Sequence, residues 1–447
     1  MALEFGTNLL NFDPLAIIMI ALVGFIGLTV ASFAARYMKG DRQYRSFFVL
    51  LASLVAAIAV MVAANHLLLL LAAWGASNAL LVRMMIHKAS WPAARASGVL
   101  AGRTLLLGFV AIAGAFALLY AATGQTSISA IIHHPNASPL MLPALLLLLV
   151  GAMTQSALWP FHRWLTSSLN SPTPVSAIMH AGLVNGGGFL LARFAPLYLD
   201  RPALLTLVFA LGLVTAFAGT LFKLMQNDVK RMLACSTMGQ MGFMVAQTGL
   251  GLFPAAIAHL VWHGLFKAYL FLASGGAAQE KRLDLHYPPS ALSFGGALLC
   301  GIVGSYGFSL ASERVWLASD TTLLLVILAG IAGTQFALPM LRERVWTRLP
   351  MAVVATGVMG LAYGLSVHLI EAAVTPLGIM QPQPLHAIYL IGLLMLIAAW
   401  LGILFFRRPE SVSAMPDWVL KLYVRSLNAG QPHPDTVTAH RNHYAYR

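Results

Sequence analysis

"DPLAIIMIALVGFIGLTVASFAARYMKGDRQYRSFF", Asp13 to Phe48, decides the fold. Residues 15–36 form an apolar run of roughly the 20 residues a helix needs to cross the hydrocarbon layer of a bilayer. Arg36, Lys39, Arg42 and Arg45 follow it, whereas Glu4 and Asp13 precede it with no Lys or Arg. That order marks a span whose following loop stays in the cytoplasm. It is the wrong flank for a cleavable secretory signal, which begins with positive charge.

The same pattern recurs along the chain. Of 447 residues, 59% are hydrophobic and only 9% charged, against about 25% charged in ordinary globular domains. The mean hydropathy is +0.80. This composition predicts an all-α polytopic membrane protein of about 13 transmembrane helices. The expected spans are 15–36, 47–64, 66–87, 103–121, 139–165, 174–194, 203–225, 228–249, 253–276, 290–310, 320–340, 350–372 and 385–406. With the N-terminus placed outside, 23 of the 27 Lys and Arg residues fall in cytoplasmic loops or the tail. Arg193, Arg201 and Arg314 fall outside, and Lys267 stays in the membrane. Such asymmetry supports the order of spans and an orientation with the C-terminus in the cytoplasm.

The expected organisation is an extracytoplasmic N-terminus (1–14), a transmembrane domain (15–406) and a cytoplasmic tail (407–447). In the tail, "MPDWVLKLYVRSLNAG", Met415 to Gly430, reads as a short amphipathic helix on the membrane surface. The last 17 residues, rich in Pro, His and Arg, read as disordered. The net charge of +13 reflects these loops and tail rather than a nucleic-acid surface. Cys235 and Cys300 lie in apolar stretches and give neither a disulfide framework nor a thiolate metal cluster. No soluble catalytic domain fits, so a transporter subunit is expected rather than an enzyme.

Charged groups inside a bilayer cost a few kcal/mol each and are functional candidates by default. "AHLVWHGLFKAYLFLASG", Ala258 to Gly275, carries His259, His263 and Lys267 at steps of four. On a helix these form a ladder about 12 Å long, drifting slowly around one face. Histidine titrates near neutral pH, so the ladder can pass a proton through bound water. Helix packing, with Lys267 snorkelling to the interface, is the alternative, but Lys267 sits near mid-span. A His pair at this spacing can also ligate zinc, yet no third ligand is nearby, and no metal site is expected. Pro160 lies in an apolar stretch, where it removes a backbone hydrogen bond and breaks or kinks a helix. His180 follows on the next span. In "KLMQNDVKRMLACSTMGQMGF", Lys223 to Phe243, Asn227-Asp228 opens a helix and Lys230 and Arg231 enter the membrane edge. Glu371, near the outer end of span 12, is the one acidic residue expected to be buried in the membrane.

Three motifs, "SPTPVSAIMHA", "QNDVKRMLACSTMGQMGFM" and "HLVWHGLFKAYLFLASG", resemble the antiporter-like membrane subunits of respiratory complex I and of multi-subunit cation/proton antiporters. The segment Asp13–Phe48 fits the same family, and the likeness is good over roughly residues 13–280. It implies a bundle of two inverted five-helix repeats, each with a broken helix, around a hydrated axis of charged and histidine residues. His180, His259, His263 and Lys267 match positions on the family's proton pathway, and Lys230 matches a lysine in its "DIKR" segment, next to Asp228. Two positions depart from the pattern. A family glutamate after Trp is replaced by Gly75 after Trp74, and the broken-helix lysine by Gln155. Spans 10–13 hold no lysine. The family's first two spans and lateral C-terminal helix have no counterpart here. These departures argue against a self-contained pump.

A shorter branch of the family, the DabB-type subunit of a two-part inorganic-carbon uptake complex, shares this reduced pattern. The resemblance implies a bacterial inner-membrane subunit whose cation flow, of protons or sodium ions, is coupled to CO2 hydration in a cytoplasmic DabA-like zinc partner resembling carbonic anhydrase. No cofactor is then expected in this chain. A subunit of a complex I, hydrogenase or antiporter assembly is the alternative, and a non-conducting scaffold a third.

Overall fold

The computed structural model describes residues 9–133, 138–276, 288–342, 344–405 and 417–437. The described residues are overwhelmingly helical and carry only isolated β-bridges. The helices are α1 (Pro14–Tyr37), α2 (Tyr44–Ala63), α3 (Leu67–Met85), α4 (Pro92–Thr123), α5 (Met141–Gln155), α6 (Thr173–Ala181) and α7 (Gly186–Arg193). They continue with α8 (Pro202–Leu224), α9 (Val229–Gly249), α10 (Phe253–Ala273), α11 (Ala291–Ala311), α12 (Thr322–Ala337), α13 (Val345–Val374), α14 (Ala387–Phe405) and α15 (Asp417–Ala429). Very short helical turns lie between some of these.

Each of the 13 expected segments coincides with helix, but ten among the described residues are long and apolar enough to span. The count of 13 is therefore not reached. α5 and α12 are apolar but short, at 15 and 16 residues. α9 is long enough, yet Lys230, Arg231, Ser236, Thr237, Gln240, Gln247 and Thr248 keep it too polar.

Lipid tails are as apolar as leucine, so close packing of small residues drives helix association in a membrane. α8 and α9 follow that rule. A Cβ on Gly219 would lie 2.3 Å from the Gly239 nitrogen, so the two backbones touch there. The Thr173–Arg193 segment is buried throughout, whereas the apolar windows of α13 and α14 are only 17% and 22% buried. α6–α7 thus form the centre of the bundle, and α13 and α14 present apolar surface outward.

Two helix breaks face each other at that centre. α5 stops at Gln155, five residues before Pro160, so the proline is not where the helix breaks. The termination is a Schellman arrangement, with Leu158 N–H donating to Met153 O (2.9 Å) and Ala157 N–H to Thr154 O (3.4 Å). Ala157 occupies the left-handed position usually given to glycine, with φ 52°. The second break, between α6 and α7, is a 3-10 turn over Leu183–Asn185. Its freed carbonyls are taken up by side chains. Ser156 Oγ donates to Val184 O (2.7 Å), Gln155 Nε2 approaches Leu183 O (3.5 Å), and Asn185 Nδ2 donates to Ala181 O (2.8 Å). Backbone groups freed inside a membrane need such partners.

At one end, Arg193 ties α7 to the start of α1. It pairs with both carboxylate oxygens of Asp13 and donates to Val62 O at 2.9 Å. At the other end, the tail is fastened to the loop that follows α5. Ser167 Oγ accepts from His433 N–H (2.9 Å), and Asn170 Nδ2 donates to Thr436 O (2.7 Å). Arg231 Nη1 donates to Gln431 Oε1 at 3.3 Å. The expectation of disorder from residue 431 onward therefore fails for 431–437. These residues are held because their backbone groups find buried partners. The rest of that stretch, 438–447, lies outside the described residues, as do Met415 and Pro416, Lys281 and Arg282, Arg407 and Arg408, and the N-terminal Glu4.

Candidate functional site

α10 carries His259, His263 and Lys267 along one face, and all three are buried. The rings of His259 and His263 stack at 6.1 Å between centroids. Lys267 is 1% exposed, and its Nζ donates to the main-chain oxygen of Leu233 on α9 at 3.1 Å. Both ring nitrogens of His263 and the Nε2 of His259 have no protein partner. Buried polar atoms are normally satisfied by protein or ordered water, so these unmet groups call for water.

Space for water lies beside them. A cleft of about 550 Å³ runs beside the ladder, its wall mostly apolar (Phe308, Leu325 and Phe336 among others) with polar groups from Ser236, Gln240 and Gln247 of α9 and Tyr363 of α13. Ser236, Gln240 and Gln247 fall at steps of four and seven, so they share one face of α9. A water needs two to four polar partners, and this wall together with the ladder supplies them. With water in the cleft the arrangement can relay a proton between the imidazoles and the lysine amine, the amides serving only to orient the water.

His180 joins the ladder through the packing of α6 on α10. Its ring stacks on Phe271 at 4.2 Å between centroids, and its Nδ1 lies 3.1 Å from Thr237 Oγ1 on α9. The close approach depends on Gly264, where a Cβ would lie 2.9 Å from Ala181 O. Asn185 bridges the same helices, reaching Leu260 O at 3.4 Å.

Lys230 and Asp228 sit away from the ladder, at the start of α9. Asp228 accepts from Arg231 N–H at 2.9 Å and caps the helix, which accounts for its side chain structurally. Lys230 Nζ lies 3.4 Å from Ser171 O. Leu233, the acceptor for Lys267, follows Lys230 by three residues, about 4.5 Å of helix rise. Lys230 therefore stands one turn nearer the basic end than the ladder.

Gln155 belongs to a second polar group. Its Nε2 donates to Asn78 Oδ1 at 3.0 Å, and Trp74 lies in the same buried region. This group carries no charge. A side chain at Gly75 would meet the Phe109 ring, at 2.8 Å from the Cβ. Pro160 contributes no side chain to either group. Glu371, expected to be arguably buried, pairs with Arg314 Nη2 at 2.5 Å and is about a quarter exposed. Among the described residues, no group of three His, Cys, Asp or Glu could hold a metal.

Sequence reasoning overlooked the α6–α7 break, Thr237 and the polar stripe of α9. The stripe was readable as period-four polar residues, and the break as "GLVNGGG", Gly182 to Gly188. The Leu233 carbonyl had no sequence signal, because every residue carries one.

The chain's likenesses agree with this geometry. Residues 64–287 match the profile described as NADH:quinone oxidoreductase/Mrp antiporter, TM, and residues 6–48 match NADH-ubiquinone oxidoreductase (complex I), chain 5 N-terminus. The probable inorganic carbon transporter subunit DabB1 of Halothiobacillus neapolitanus is 42% identical over 282 residues, covering 61% of this chain and 50% of that protein. DabB2 of the same organism is 30% identical over 446 residues, covering 94% of this chain and 78% of that protein. The chain thus spans about half the length of DabB1 but most of DabB2. In the Mrp complex structure from Dietzia sp. DQ12-45-1b, one chain shares the fold, with a TM-score of 0.65 at 24% identity, over 94% of this chain and 52% of that one. The chain belongs to the NADH:quinone oxidoreductase/Mrp antiporter transmembrane family, and among its relatives are the DabB inorganic carbon transporter subunits.

Proposed function

We propose that this chain is the proton-conducting membrane subunit of a two-part uptake complex for dissolved inorganic carbon. The observation that carries the reading is the buried His259–His263–Lys267 ladder beside a cleft able to hold water. Protons pass along this ladder with His180 as a side member and Lys230 at its basic end. The N-terminus lies outside and the tail in the cytoplasm, where the basic loops bind a DabA-like partner. That partner holds zinc and hydrates CO2, and cation flow through this chain drives the hydration one way.

The uncharged Gln155–Asn78 group favours a partner-dependent subunit over an autonomous pump. The names of the DabB relatives support the carbon reading. The family profile keeps a second reading in view, a subunit of a complex I, hydrogenase or antiporter assembly.

Coexpression with a large zinc protein of the carbonic-anhydrase type separates the two. Growth at air-level CO2 should return in cells lacking carbonic anhydrase. No rescue, combined with co-purification of quinone-reducing or hydrogenase subunits, sinks the carbon reading. The same cells carrying Lys267→Ala should not grow, although the complex assembles.

A further inference from the structure

A second cleft lies at the basic end of the bundle, away from the ladder. Its volume is about 440 Å³, and it is lined by Tyr37, Lys39, Asp41, His87, Lys88, Trp91 and the segment Leu169–Pro172. It sits where α1, α3, α4 and α6 end or begin. Three features single it out.

The first is charge. Lys39 and Lys88 are exposed, and neither has an ion-pair partner among the described residues. The acidic side chain in the wall, Asp41, is already engaged. Its Oδ1 accepts from Gln43 N–H at 2.7 Å, and its Oδ2 pairs with His87 Nε2 at 3.1 Å. Two ammonium groups without ion pairs therefore line the cleft, with Lys88 also within electrostatic reach of Asp41, whose hydrogen bonds go to Gln43 and His87.

The second feature is a buried donor without a partner. Ser171 is 3% exposed and lines the cleft, and its hydroxyl has no protein partner. A buried hydroxyl left unsatisfied costs roughly 1–3 kcal/mol, so an acceptor in the cleft is favoured. Ser171 and Pro172 also lead into the nine-residue helix α6, whose N-cap has no side-chain hydrogen bond. Helix N-termini favour anions.

The third feature is the frame. Tyr37 and Trp91 flank the lysines, the amphipathic ring and ammonium pairing found at the headgroup level of membranes. Basic pockets between spans on the cytoplasmic side take lipid phosphates.

We infer that this cleft binds an oxyanion, the phosphate of an anionic phospholipid headgroup, between Lys39, Lys88 and the Ser171 hydroxyl. The ammonium groups neutralise the phosphate, and Ser171 Oγ donates to one of its oxygens. The bound lipid joins the loop after α1 to the loop before α6. A free oxyanion, inorganic phosphate or bicarbonate, has the same chemistry, so the test separates the sources.

The full chain is purified in mild detergent and incubated with phosphatidylglycerol or phosphatidylcholine. Retained lipid is then counted by native mass spectrometry. The wild type should retain one phosphatidylglycerol at least tenfold more often than phosphatidylcholine. Lys39→Gln/Lys88→Gln should lose that preference, and Ser171→Ala should weaken it by about threefold. All variants must elute as monodisperse protein, and the two exposed lysines are changed without touching the core. In the second arm, lipid-stripped protein is titrated with inorganic phosphate and with bicarbonate. Lysine-dependent binding of either, without phosphatidylglycerol retention, overturns the lipid assignment. Equal retention of both lipids in wild type and double variant overturns the site itself.

Discussion

Lys267 donates its ammonium to the main-chain oxygen of Leu233, 3.1 Å away on the neighbouring helix, and has no carboxylate partner among the described residues. A buried amine held by one carbonyl costs stability that packing alone never needs to spend. Replacing it with an apolar side chain of similar length should therefore stabilise the bundle. We expect Lys267→Met to raise the unfolding midpoint, by up to a few kcal/mol in stability, and to reduce proton flux in proteoliposomes at least tenfold. A lower midpoint with unchanged flux would return the ladder to a packing role.

Gln155 Nε2 donates to Asn78 Oδ1 in the centre of the bundle, while Gln155 Oε1 and Asn78 Nδ2 have no protein partner. Gln155→Leu leaves the Asn78 amide without its partner, and Val184 keeps its bond to Ser156. The expected loss is about 1–3 kcal/mol, read as a lower thermal midpoint. The double variant Gln155→Leu/Asn78→Leu should recover part of that loss, because no amide is then stranded.

Asp13 does two jobs. It accepts from Ala16 N–H at 2.9 Å as the cap of α1, and it pairs with Arg193 at the end of α7. Breaking a buried pair by removing one partner costs about 3–5 kcal/mol. Asp13→Ala should cost about that, Arg193→Met similarly, and the double variant less than their sum. Strict additivity in a double-mutant cycle would show that the pair is uncoupled.

The Asp41 carboxyl lies in the loop between α1 and α2, outside the spans. The Gln43 N–H, and after it His87, holds its pKa below the usual carboxylate value. A carboxylate with a depressed folded pKa stabilises the native state above its unfolded pKa, about 3.9. That contribution fades as pH falls through the lower folded value. The midpoint difference between wild type and Asp41→Asn should accordingly be constant above about pH 5 and vanish in stronger acid. A difference that persists in strong acid would assign the effect to something other than ionised Asp41.

How much of this was legible beforehand differs by element. The spans were legible because a bilayer imposes length and apolarity on each segment separately, and 13 helical segments fell where hydropathy placed them. Their status as spans was less legible, because α9 trades apolarity for a polar wall facing the cleft. The ladder was legible because its residues share one helix, where spacing alone fixes the face.

What the sequence by itself determined is therefore local: helices, the stripe of α10, and the loss of charge at Gly75 and Gln155. Tertiary structure alone decided which groups meet. It brought Leu233 to Lys267, Thr237 and Phe271 to His180, and Asn78 to Gln155. It also moved the helix break from Pro160 to Gln155 and put a second break beside it. The physical reason is that a carbonyl or amide has no sequence signature of its own. Its partner is selected by the close approach of helices, which small residues such as Gly219 and Gly264 permit.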